Sequence, residues 1–134
     1  MNAATGGHEP FDTLREVERP EVLSIDTQAT SVSLRLRLPR RLPWFDGHFP
    51  DRPILPGVAQ VHLAGVAALS LFGHHHRIIG TGRLKFQRPL LPDAIVTLNL
   101  DRTERSLRFE FIHESGAASS GSLRLLGTDE SAVL

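Results

Sequence analysis

Two histidines and a glycine carry the chemistry this chain could perform. His48 stands in Trp44-Phe45-Asp46-Gly47-His48-Phe49-Pro50, and the prolines at 43, 50, 53 and 56 fix φ and push each preceding residue out of helical geometry. The segment is therefore expected to follow one extended path and to hold the imidazole in a set place. Histidine is the side chain whose ordinary pKa suits proton transfer near neutrality, so on a rigid loop His48 is expected to act as a proton-transfer group, not merely to hydrogen-bond a turn. Gly57 follows Pro56, which suits the first turn of a helix. A glycine there lets a ligand approach free N–H groups whose partial positive charge stabilises a developing oxyanion. His62 lies further along the same stretch, and by itself a polar group on so apolar a helix reads as a core histidine satisfied by one hydrogen bond. Gln60, two residues earlier, faces elsewhere on a helix and reads as structural.

The element that must position these groups runs from Val58 to Phe72, where only Gln60, His62, Gly65 and Ser70 interrupt apolar residues. Such a helix is apolar on every side and is expected to be covered all round. At about 1.5 Å per residue it spans roughly 24 Å, short of the roughly 20 apolar residues a bilayer requires. Gly73 stands where a C-cap glycine belongs. Strands are expected around the helix. A short one fits 21–25, with a turn at Asp26-Thr27-Gln28; Val32, Leu34, Leu36 and Leu38 then alternate with polar residues until Pro39. After the helix, a strand over 78–88 puts Leu84 and Phe86 on one face and Arg83, Lys85 and Gln87 on the other. The alternations Val96-Leu98-Leu100, Leu107-Phe109-Phe111 and Leu123-Leu125 give the remaining strands, with hairpin turns at 102–105 and Ser115-Gly116. The layout is α+β: one curved antiparallel sheet of five to six strands around one long helix.

Composition bounds the rest. The chain has 134 residues, 40% hydrophobic, enough for one domain, expected over 20–134 behind a flexible arm at 1–19 with at most a short helix over 11–17. Formal net charge is zero and the arginines are scattered, so no nucleic-acid surface stands out. Arg83, Lys85 and Arg88 read as a solvated strand face. Without cysteine there is no disulfide framework and no thiolate site, and no signal-peptide core precedes residue 10, so a cytoplasmic protein is expected. His74-His75-His76 is not expected to bind metal, because consecutive side chains of a regular backbone do not converge on one ion.

Gly47-His48-Phe49-Pro50 followed by Pro53-Ile54-Leu55-Pro56-Gly57-Val58 resembles the signature of the 3-hydroxyacyl-acyl carrier protein dehydratases, a family with the hotdog fold. Leu84-Lys85-Phe86-Gln87-Arg88-Pro89 with Pro92 is similar to that family's strand after the central helix, so the likeness covers about 43–96. Within the family, the run from Gly57 to Ala64 is most similar to a small subgroup found in aryl polyene biosynthetic clusters. The resemblance implies a homodimer or higher homo-oligomer whose sheets join edge to edge, an acyl tunnel at the interface, an acyl carrier protein as partner, and no metal or organic cofactor. It implies β-elimination to the trans-2-enoyl thioester. His48 would take the α-proton, the Gly57 N–H would polarise the thioester carbonyl, and Phe49, Pro56, Val58 and Phe86 would line the substrate site. The family's carboxylate, which handles the departing hydroxyl from the other subunit's helix, falls on His62 here, and no Asp or Glu occurs between Arg52 and Pro92. His48 and His62 are then expected to form a base and acid pair, two neighbouring basic groups disfavouring double protonation, or Asp46 or Asp51 substitutes. A thioesterase on the same fold, and a non-catalytic acyl-binding or heterodimer partner, are the alternative readings.

Overall fold

The computed structural model describes residues 9–46, 52–73 and 76–127. Its elements are β1 (Glu21–Thr27), β2 (Ser31–Arg37), α1 (Gly57–Phe72), β3 (His76–Phe86), β4 (Ile95–Arg102), β5 (Ser106–His113) and β6 (Gly116–Gly127), with 3-10 turns at Glu16–Glu18 and Pro43–Phe45. The strands form one antiparallel sheet in the order β1-β2-β4-β5-β6-β3. The period-two alternation sets its register: Leu34 pairs with Leu98 and Leu98 with Phe111, while Val32 pairs with Leu100 and Leu100 with Phe109. All of these are buried, so one continuous apolar face runs across the three strands.

Helix α1 lies on that face through Leu63 and through Ala59, Ala64, Ala67 and Ala68, whose small side chains let the backbone settle close to the leucine-rich strands. Gly65 extends the contact, since a Cβ there would sit 2.9 Å from Ile78 Cδ1. Gly73 ends the helix at φ 126°, a conformation open to glycine, with its N–H on Leu69 O at 3.0 Å. The helix is not covered all round in a single chain, however. Val58 is 78% exposed and His62 is exposed, because the sheet of one chain reaches only one side of the cylinder.

Two expectations about the strands and the N-terminus are corrected. The strand expected over 78–88 with Leu84 and Phe86 on one face does not run as a regular two-faced strand, and these two residues are 41% and 49% exposed. The ladder to β6 shifts register between Gly82 and Lys85, with Arg83 at φ 52°, and this bulge breaks the alternation on a strand that edges the sheet. Of the arm expected at 1–19, residues 1–8 lie outside the described residues, but Phe11 and Leu14 are buried in the core. Their spacing suits a turn, closed by Leu14 N–H on Phe11 O at 3.0 Å, and Arg19 fastens it by donating to Leu14 O and Asp12 O. Among the described residues no helix is long and apolar enough to cross a membrane.

Gly121 of β6 pairs with Phe109 of β5, and a Cβ on it would lie 2.5 Å from Leu84 Cδ2 and 2.9 Å from Phe109 Cε2. Leu84 can swing into solvent; Phe109, fully buried beside Phe111, cannot. Gly121→Ala is therefore expected to destabilise the fold by about 1–3 kcal/mol, the usual cost of overpacking, measurable as a lowered denaturation midpoint at unchanged slope.

Candidate active site

The chain approaching the site is anchored on both flanks. Leu42 and Phe45 are buried, and the turn between them begins with Pro43 and closes with Phe45 N–H on Leu42 O at 3.1 Å. Residues 47–51 lie outside the described residues, and with them His48, Phe49 and Asp51. On the far side Leu55 is buried again, its N–H on Leu90 O at 2.8 Å.

Helix α1 starts with Pro56 as N-cap at φ −61° and ψ 151°, and Pro56 O accepts from both Ala59 N–H (3.0 Å) and Gln60 N–H (3.1 Å). The N–H groups of Gly57 and Val58 precede any intrahelical acceptor. Among the described residues no side chain caps this end, and its first turn holds no acid. The helix thus presents donors and positive potential where a developing oxyanion would be stabilised. The Phe86 ring packs directly over Gly57: a Cβ there would lie 2.9 Å from Phe86 Cζ. Of the expected site residues, Pro56, Gly57 and Phe86 are therefore brought together, while Val58 faces outward in the single chain.

His62 is exposed, which corrects the reading of it as a core histidine; a residue one turn beyond Val58 shares the side of the helix that the sheet leaves open. Its ring meets the half-buried Trp44 edge-on, with centroids 6.0 Å apart and planes at 66°. The loop leading to His48 and the helix carrying His62 therefore touch through these two rings.

Three further groups belong to this region and were not singled out for it by sequence reading. Glu18 sits in the N-terminal turn, where the Arg15 side chain holds its carboxyl below the usual range; burial opposes this, and His62 adds a smaller lowering contribution. That turn is bound to the approaching loop by Arg41, whose guanidinium donates to Glu16 O and Val17 O, both at 3.1 Å. Gln60 and Ser119 are buried together, the Ser119 hydroxyl donating to Gln60 Oε1 at 2.6 Å and Gln60 Nε2 to Leu55 O at 3.0 Å. A glutamine amid alanines on a core-facing helix was the available signal for this pair. For the acidic turn there was none, since its approach to His62 is purely tertiary. Among the described residues no group of three or more His, Cys, Asp or Glu is arranged to hold a metal ion; His74 and His75 lie outside them.

An antiparallel sheet packed on one central helix is the hotdog arrangement, here with an uncapped helix start beside a proline-rich loop. The chain belongs to the ApeI-like family, described as ApeI dehydratase, whose model matches residues 24–122. Among solved structures it is similar to a chain of the dehydratase heterocomplex ApeI:P from Xenorhabdus doucetiae, with TM-score 0.76 and 31% identity over 80% of this chain and 97% of that one. Among curated proteins, 3-hydroxyacyl-[acyl-carrier-protein] dehydratase FabZ of Chlamydia pneumoniae is 33% identical over 90 residues, 60% of this chain and 59% of the relative. The protein of the same name from Erythrobacter litoralis is 35% identical over 74 residues, 48% of this chain and 49% of the relative. The chain spans about half the length of these curated relatives.

Proposed function

We propose that this protein dehydrates a 3-hydroxyacyl group carried as a thioester on an acyl carrier protein, releasing water and the trans-2-enoyl thioester for fatty-acid or polyene-type synthesis in the cytoplasm. The observation that carries the reading is the uncapped start of α1 at Gly57, covered by Phe86 and followed five residues later by an exposed imidazole. In the proposed step His48 removes the α-proton, and the C–H electron pair forms the enolate, whose oxygen is stabilised by the Gly57 N–H. Collapse of the enolate forms the α,β double bond and expels the β-hydroxyl, which takes a proton from His62 and leaves as water. No metal or organic cofactor takes part in this scheme.

The open face of α1 and the outer edge of β3, with Ile79, Leu84 and Phe86 exposed, support the pairing of two hotdog subunits at this site, as a homodimer or higher homo-oligomer. Incubating the protein with a 3-hydroxyacyl thioester and resolving the products by mass spectrometry tests the reaction. Enoyl thioester is expected. Free thiol would replace the reading with a thioesterase, and no product with a non-catalytic subunit.

Gly57→Ala separates the helix start from the rest of the fold. The added Cβ would displace the Phe86 ring, the far end of a flexible side chain that is half-exposed in the single chain, so the chain should still fold, with any cost read as a lowered unfolding midpoint. The methyl group would crowd the ground over the N–H. The expected loss in kcat/KM is roughly tenfold, below the roughly 10²–10³ that deleting an oxyanion donor costs.

A further inference from the structure

A buried glutamine on an otherwise apolar helix face requires a reason, because an amide placed in a core must satisfy its hydrogen bonds there. Gln60 is 3% exposed and Ser119, on the neighbouring β6, is fully buried. The Ser119 hydroxyl donates to Gln60 Oε1 at 2.6 Å, which leaves the Gln60 amide nitrogen to donate to Leu55 O at 3.0 Å. What that carbonyl does decides the matter. Leu55 precedes the N-cap Pro56, so its carbonyl lies outside the intrahelical ladder and the helix supplies it no backbone donor. Here Ala59 and Gln60 N–H both go to Pro56 O, and Leu55 O is turned to the Gln60 side chain instead.

The Leu55–Pro56 peptide has no N–H, so its carbonyl is the one polar handle by which its plane can be held. Leu55 N–H is fixed separately on Leu90 O at 2.8 Å, and the Pro56 ring fixes φ at −61°. With both sides of Leu55 tied, little freedom remains in the direction taken by the next peptide, whose N–H belongs to Gly57. The same tie holds the end of the proline-rich segment that leads back to His48.

The geometry points to Gln60, oriented by Ser119, as a positioning residue that aims the Gly57 N–H by gripping the Leu55 carbonyl. This goes beyond the reaction proposed above and rests on it for its catalytic consequence. Gln60→Met keeps the side chain's length and volume but removes both hydrogen-bonding groups. It is expected to lower kcat by roughly tenfold or more, since small misplacements of reacting groups cost up to about 10²-fold, while KM stays near the wild-type value.

The structural arm is the amide resonance of Gly57 in the full-length protein. It should move in Gln60→Met while resonances of Leu34 and Leu98, paired in the sheet core, stay in place. Ser119→Ala, which removes only the orienting hydroxyl, should produce the same displacement to a smaller degree, and it decides the question if Gln60→Met does not fold. Unchanged kcat together with an unmoved Gly57 resonance in a folded variant overturns the assignment. Should the wild-type protein prove inactive on 3-hydroxyacyl thioesters, the reaction fails, but the Gly57 resonance still decides whether Gln60 positions it.

Discussion

His48→Ala is expected to reduce kcat on a 3-hydroxyacyl thioester by roughly 10²–10⁴-fold, the usual contribution of a positioned general base, and to leave thermal unfolding close to wild type. The second half follows from where the loop is anchored. Leu42, Phe45 and Leu55 bury the apolar side chains flanking the segment, and Leu55 is further held by Leu90 and Gln60, so the imidazole is not needed to keep either flank in place. The first half follows from chemistry. The proton next to a thioester carbonyl is weakly acidic, and imidazole in its ordinary state is a stronger base than a carboxylate while still free at neutral pH. The rival base is Asp46, which is exposed just before the segment. If His48→Ala kept its rate and Asp46→Asn lost it, proton abstraction would belong to the carboxylate.

Most of this architecture was readable because it depends on local periodicity. Alternation over 31–37, 95–102 and 106–113 faithfully marks strands whose inner residues are buried, since a strand buried on one face can be read from its own side chains. Strand β3 could not be read this way. It lies at the sheet edge with a bulge at Arg83, and both its exposure and its shifted register come from its single neighbour. Composition suggested a free arm before residue 20, yet Phe11 and Leu14 find the core, a tertiary fact that two apolar residues among polar ones only hint at.

The same division runs through the site. Pro56 and Gly57 were legible because a proline followed by glycine at a helix start has a local meaning, and Phe86 joined them through a strand that passes the helix N-terminus. His62 was legible as a position but not as an environment. An all-apolar helix argues for burial on every side, and only the reach of the sheet shows that the stripe through Val58 and His62 is left open. Gln60 was set aside because it faces away from His62. Facing away is what lets it reach Ser119 and Leu55.

That open stripe makes the second large effect testable in a way that also locates it. His62→Gln removes the proposed acid while keeping a polar side chain of similar reach, and kcat should fall by roughly 10²–10⁴-fold. His62→Glu places at this position the carboxylate that the resemblance to the dehydratases leads one to expect, and it should recover a substantial part of the rate, whereas a merely structural imidazole edge-on to Trp44 would not be replaced by a carboxylate. The resemblance assigns the group at this position to the other subunit's helix, and His62 is exposed in one chain, so its partner in the reaction is expected to be the His48 of a second subunit. Mixing inactive His48→Ala and His62→Gln chains should then restore activity, since a mixed dimer has one site with both imidazoles intact. With random pairing about half the dimers are mixed and one of their two sites works, so recovery should approach about a quarter of the wild-type rate. If each site were instead built within one chain, every site in the mixture would lack one imidazole. No recovery in mixtures shown to exchange subunits would place both groups in the same chain.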